Sequence, residues 1–187
     1  MPGTIYYPIW FADQDWRKPN RAGYMTALAE HRPVQATVLD LEREEQLSEV
    51  LGWAEEAAQY VERVVIIPKA FGIIDRIPAH IASAEVVLGY SVPTRYAGTE
   101  VPVWEFGRRP VHLLGGRPSA QLRLSHYLNV VSADGNYANL KATQFCQWWD
   151  GNRWRQLLDD NGNVWGRDAI YEAFRRSCES IIAAWQS

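Results

Sequence analysis

Short apolar runs alternate with longer amphipathic ones along most of this chain. "GTIYYPIWFA" (3–12) reads as a first strand and "NRAGYMTALAEH" (20–31) as a short helix. "VQATVLDL" (34–41) is a second strand that ends near Asp40. In "REEQLSEVLGWAEEAAQYVE" (43–62), Leu47, Val50, Leu51, Ala54, Ala58 and Val61 recur at helical spacing, which predicts the strongest helix of the chain. "RVVIIPK" (63–69) is short and β-branched, the pattern of a buried strand. "IPAHIASA" (77–84) predicts a short helix, and "EVVLGYS" (85–91), "RPVHLLGG" (109–116) and "LNVVSADG" (128–135) predict three more strands. The last two are separated by a glycine turn and a helix. Strands that alternate with helices imply parallel pairing through right-handed crossovers. The expected fold class is therefore α/β, a parallel (β/α) barrel-like sheet.

The pattern changes after Asn136. "FCQWWDGNRWRQLLDDNGNVWG" (145–166) is rich in Trp, Asp, Gly and Asn and predicts two short antiparallel strands or a structured loop. "RDAIYEAFRRSCESIIAAW" (167–185) predicts a closing amphipathic helix with Ile170, Phe174, Cys178, Ile181, Ile182 and Trp185 turned inward. Asp168 stands in its first turn, where a negative charge suits the helix dipole. No linker, repeat or low-complexity stretch interrupts the chain, so residues 1–187 are expected to form a single domain with a Trp-rich segment at 145–187.

Composition narrows the function classes. The chain has 187 residues, 47% of them hydrophobic, enough to bury a sizeable core. Its net charge of -3 removes any global basic surplus, so a nucleic-acid contact has to come from a local patch. The N-terminal residues lack the basic and apolar regions of a signal peptide, and no run is long enough to span a membrane. Cys146 and Cys178 are the two cysteines and neither sits in a CxxC. A reduced, cytoplasmic protein with no structural metal and no cofactor is expected.

The predicted strand ends are polar in turn. The first gives Asp13 and Asp15, the second Asp40, the third Lys69, and the fourth Ser91 followed by Arg95. The fifth gives Gly115, Gly116 and Arg117, and the sixth Asp134 and Asn136. In parallel α/β folds the site gathers at the carboxyl ends of the strands. Helix capping accounts for Asp40 and Asp134 as an alternative. As a site, the acids suit attack at an anomeric carbon, one carboxylate as nucleophile and a second carboxyl group handling protons, about 5 Å away in retaining geometry. His112, between Val111 and Leu113, reads as a core histidine. Trp148, Trp149, Arg153, Trp154 and Arg155 are the best mixture of cation and ring, able to hold a backbone and stack a base.

At "PVHLLGGRPSAQLRLSHYLNVVSADG" (110–135) the chain resembles the tRNA-guanine transglycosylase superfamily. His112, Gly115, Gly116 and Pro118 match that family's strand of the type "HxLxGxGxP", with a shorter turn, and Asp134 falls where its nucleophile belongs. The resemblance implies a reduced or partial TIM-type barrel. It also implies base recognition by Asp40 in "TVLDLEREE" and by Gly89 in "VVLGYS", with Asp13 or Asp15 as the acid that moves a proton. The family's Cys/His zinc site and tRNA-binding additions are missing, and "GNYANLK" (135–141) departs from its proline-threonine-arginine run. Family relatives exchange or remove bases in DNA in the setting of phages and phage defence. The functional expectation is therefore cleavage of an N-glycosidic bond to a modified base in DNA, as glycosylase or base-exchanging transglycosylase. A duplex target would have its base flipped out. A non-catalytic nucleic-acid-binding module and a hydrolase of free nucleosides are the alternatives. The oligomeric state is left open.

Overall fold

A computed structural model describes residues 9–15, 17–95, 98–158 and 166–186. They gather in two compact units, one comprising residues up to Leu113 with Leu128–Ser132, the other Leu114–Tyr127 with the residues from Ala133 on.

The first unit is built on a mixed α/β scaffold whose parallel sheet curls into a half-barrel. Strand β1 (Phe11–Ala12) is followed by helix α1 (Arg21–His31), strand β2 (Gln35–Leu41), helix α2 (Leu47–Ala57) and strand β3 (Arg63–Pro68). Strands β4 (His80–Ile81), β5 (Ala84–Ser91), β6 (Pro110–Leu114) and β7 (Asn129–Ala133) complete the sheet, in the order β1-β2-β3-β5-β6-β7 with β4 beside β5. β1, β2, β3 and β5 pair in parallel, with Phe11 opposite Gln35, Val64 opposite Ala36 and Val86 opposite Val64. Val64, Val65, Ile66, Val86, Val87 and Leu88 are all buried, which explains why β3 and β5 read as continuous apolar runs rather than alternating ones. Helix α2 covers β2 and buries Leu47, Val50, Trp53, Ala54 and Ala57.

Curling is visible in the side chains. The amide Nε2 of Gln35 in β2 donates to Nδ1 of His112 in β6 at 2.9 Å, although β3 and β5 lie between those strands. A flat sheet would hold them about 14 Å apart, three strand spacings. The ring of Phe11 in β1 stacks on His112 at 4.7 Å across four spacings. These side chains share the concave face.

The second unit holds helices α3 (Pro118–Leu124), α4 (Tyr137–Phe145) and α5 (Arg167–Gln186), with the antiparallel hairpin of β8 (Gln147–Trp149) and β9 (Trp154–Gln156). α5 lies against α4 and β8.

Several expectations are corrected. Residues 77–84 do not form a helix. Pro78 interrupts the segment, a left-handed Ala82 (φ 50°) turns it, and β4 folds back antiparallel on β5. The helix expected over 43–62 is regular only from Leu47 to Ala57, after a 3-10 turn at Glu44–Gln46. Of the strand expected over 3–12, Phe11–Ala12 is strand, and residues 3–8 lie outside the described ones. α4 had no counterpart in the hydrophobic pattern, because the side chains it buries are only Ala138 and Ala142. In α5 the buried positions are Ala173 and Ser177, while Phe174 and Ile182 are exposed. Small side chains let the helix approach β8 closely: Ser177 Oγ accepts from the Trp149 backbone N–H at 3.0 Å and donates to Ala173 O.

Candidate active site

The glycine turn after β6 and the acid after β7 are brought together in the second unit. Gly115 and Gly116 take the positive φ values of 67° and 83°, which a side chain with a Cβ resists. The turn aims the Gly115 N–H at Asp134, and Asp134 Oδ1 accepts from it at 3.1 Å. Gln121, reaching back from α3, fastens both ends: its Nε2 donates to Gly115 O at 2.8 Å and to Asp134 O at 2.6 Å. Asp134 is half-buried and does not cap a helix, since the N-cap position of α4 belongs to Asn136. The capping alternative for Asp134 therefore falls away.

The same unit gathers cations and rings close in sequence to this carboxylate. Arg117, exposed at the N-cap position of α3, lies over the Tyr137 ring at 5.4 Å. Tyr137 packs beside Trp154 at 5.5 Å. The Lys141 ammonium stands 5.9 Å from each of those rings and 4.7 Å from Phe145. Among the residues expected to contact nucleic acid, Trp154 is in this cluster. Trp148 sits apart from it under Arg176 at 5.6 Å, and Arg153 is exposed, its backbone N–H given to Asp150. Trp149 is corrected outright: at 2% exposure its ring fills the core and cannot meet a base.

The remaining candidates belong to the first unit. Asp13 follows β1 and accepts from Thr37 Oγ1 at 2.7 Å, while Thr37 in turn accepts from the Gln14 N–H. Asp15 is exposed and closes a local turn on the Arg17 N–H at 3.0 Å. Both acids are exposed but bonded differently: Asp13 is tied to β2 through Thr37, and Asp15 to its own turn. Asp40 and Lys69, expected to bind substrate separately, pair with each other at 2.5 Å. Gly89 is buried within β5, Ser91 ends that strand and gives its carbonyl to Thr99, and Arg95 is exposed beyond it.

One cluster escaped the sequence. Gln35, His112 and Ser132 meet on the concave face of the sheet, with Ser132 Oγ 2.8 Å from His112 Nδ1 and 3.3 Å from both polar atoms of the Gln35 amide. Gln35 and His112 are fully buried. Nearby in the same unit, Tyr24 of α1 shares its hydroxyl proton between Thr37 O (2.8 Å) and Ala12 O (3.2 Å). Burial, aided by the Asp13 charge, pushes its phenol well above the ordinary value. Burial likewise pushes the thiols of Cys146 and Cys178 up, away from the thiolate form. No group of three His, Cys, Asp or Glu residues suited to a metal ion occurs among the described residues. Among them, too, no helix is long and apolar enough to cross a membrane.

Fold and site together define a mixed α/β protein with a curled parallel sheet and a carboxylate mounted on a glycine turn. The profile of a family of unknown function, DUF6610, matches residues 4–186, and the chain belongs to that family. No curated protein and no solved structure matches it.

Proposed function

We propose that this protein cleaves the N-glycosidic bond of a modified nucleobase in DNA, with Asp134 as the nucleophile. The observation that carries the reading is the mounting of Asp134: half-buried, at the end of β7, with its carboxylate oriented by the Gly115 N–H and its backbone fastened by Gln121. In the reaction, an Asp134 oxygen bonds to C1′ as the bond from C1′ to the base nitrogen breaks. The base leaves with that electron pair and takes a proton from a second acid. Water then attacks C1′, releases the aspartate and returns the proton, which makes the enzyme a glycosylase. An incoming base in place of water makes it a transglycosylase.

The second acid is Asp13 or Asp15, and their settings separate them. A hydroxyl donor at 2.7 Å orients the Asp13 carboxyl group, whereas Asp15 accepts only from the Arg17 N–H of its own turn. On this reading the half-barrel is a reduced TIM-type sheet, the polar ends of its strands serve the base, and the protein works in the cytoplasm, where phage DNA is the source of modified bases.

The test is to incubate the protein with DNAs carrying different modified bases, assay abasic sites and identify released bases by mass spectrometry. Release that depends on Asp134 supports the reading. A second reading, a non-catalytic module that binds nucleic acid on the same scaffold, draws on the same hydrogen bond: a carboxylate accepting a backbone N–H also serves to brace a turn. DNA binding without release of any base would favour it. Turnover confined to free nucleosides would favour a hydrolase of small substrates.

A further inference from the structure

We propose that Arg117, Tyr137, Lys141, Phe145 and Trp154 form a track for single-stranded polynucleotide beside Asp134. The identity of the nucleotide offered to Asp134 rests on the preceding reading; the track itself rests on the following geometry.

Tyr137, Lys141 and Phe145 are spaced i, i+4, i+8 and so share one face of α4, a stripe about 12 Å long. Trp154 of β9 and Arg117 from the turn before α3 join this stripe through Tyr137. The stripe begins three residues after Asp134, and Arg117 stands two residues after the glycine whose amide holds that carboxylate.

The two cations differ from Arg155, Arg175 and Arg176 of this unit. Arg155 is paired with Asp150, and Arg175 and Arg176 are paired with Glu172. No carboxylate among the described residues lies within ion-pair distance of Arg117 or Lys141; Lys141 reaches only the neutral Gln147 amide, at 3.3 Å. Two positive charges set among rings, with no counter-ion among the described residues, suit the phosphates of a strand. Phe145 is 46% exposed, and Tyr137 and Trp154 are half-buried, so rings are at hand for bases to stack on. A strand held there has its phosphates on the cations and its bases on the rings, the combination by which sequence-tolerant single-strand binding works.

The experiment is fluorescence anisotropy of labelled oligothymidine, twenty nucleotides with no modified base, titrated with the full chain over a range of salt concentrations. The Arg117→Gln, Lys141→Gln double variant is expected to bind about ten-fold or more weakly. Its slope of log affinity against log salt should be shallower by about 1.4, two phosphate contacts at ~0.7 each. Trp154→Ala should lose roughly ten-fold with the slope unchanged, the effect of one stacked base. Phe145→Ala, on a more exposed ring, repeats that arm should Trp154→Ala lower the melting temperature. Arg123→Gln, an exposed cation of α3, controls for net charge and should bind as the parent does. Parent-like binding by the double variant would overturn the proposal. So would polyglutamate competing as well as oligothymidine with no loss in either ring variant, which would mark a general polyanion patch. Binding that needs the track, with no base ever released, sinks the glycosidic reading alone; base release from DNA that ignores the track variants sinks the track alone.

Discussion

Gln35 and His112 hydrogen-bond at 2.9 Å from strands that stand three places apart in the sheet. With Ser132 Oγ 2.8 Å from the same His112 nitrogen, the contact joins β2, β6 and β7 across the concave face. All three groups give up water to make these bonds, so their value lies mainly in what their loss would leave unsatisfied.

Gln35→Leu should destabilise the protein by about 1–3 kcal/mol, because it removes a partner from two groups on the concave face. The double variant Gln35→Leu, His112→Leu should cost less than the sum of the two single changes, since it removes partner and orphan together. Urea unfolding of the four proteins measures both quantities. Strict additivity would mean that the two side chains are not energetically coupled.

This contact also marks where the sequence stops being legible. The strands at 35–41, 63–68, 84–91, 110–114 and 129–133 were readable because their apolar runs are local, and so were α1, α2 and α5. The Gln35–His112–Ser132 cluster joins residues 77 and 97 positions apart, and no local pattern encodes a sheet's curl. Ser177 is not among the inward positions that the amphipathic pattern of α5 predicts, yet it is buried, because a helix that packs closely needs small side chains there. The glycine turn and Asp134 were legible as a pair. Trp149 was misread because aromatic rings serve cores and ligands alike, and the ring track on α4 was missed together with its helix.

Tyr24 links α1 to the first two strands and gives an alkaline dependence. Its folded value is raised above the ordinary 10.0 by burial first, then by the Asp13 charge. A raised value stabilises the fold fully below pH about 10, where the unfolded chain keeps its proton too. That contribution declines as pH rises from there towards the folded value. Tyr24→Phe should therefore unfold at lower urea at neutral pH, having lost bonds to Thr37 O and Ala12 O, and should lose less further stability than the parent above pH 10. Some slope should remain from Tyr90, also raised by burial. Urea midpoints between pH 8.5 and 11 would reveal the difference; parallel curves would remove Tyr24 as its source.

Gly115 tests the turn without touching the acid. A Cβ placed there meets nothing within 4 Å, so Gly115→Ala introduces no clash and adds only the strain of a side chain at φ 67°. That strain is about 1–2 kcal/mol. Gly115→Asn, which tolerates the left-handed region better, should cost less. If the Gly115 N–H orients Asp134, base release should fall further in the Ala variant than in the Asn variant, in step with the stability loss. Equal stability in both variants would show that the turn relaxes freely.

Asp134→Asn separates chemistry from architecture. Asparagine keeps a side-chain oxygen that can accept from the Gly115 N–H at the present 3.1 Å, and Gln121 bonds only the backbone carbonyl of residue 134. The turn should therefore survive, with circular dichroism and urea midpoint close to the parent. The amide oxygen is a far poorer nucleophile than a carboxylate, and it cannot balance a developing positive charge at C1′. Base release should drop by about a thousand-fold or more. Asp134→Ala should lose the same activity and also destabilise the turn, because the Gly115 N–H loses its acceptor. The pair of variants distinguishes two roles for one carboxylate. If Asn turns over like the parent while Ala fails, the side chain acts as a brace and the nucleophile lies elsewhere. If both fail and only Ala is destabilised, the acid performs the reaction and the hydrogen bond merely aims it.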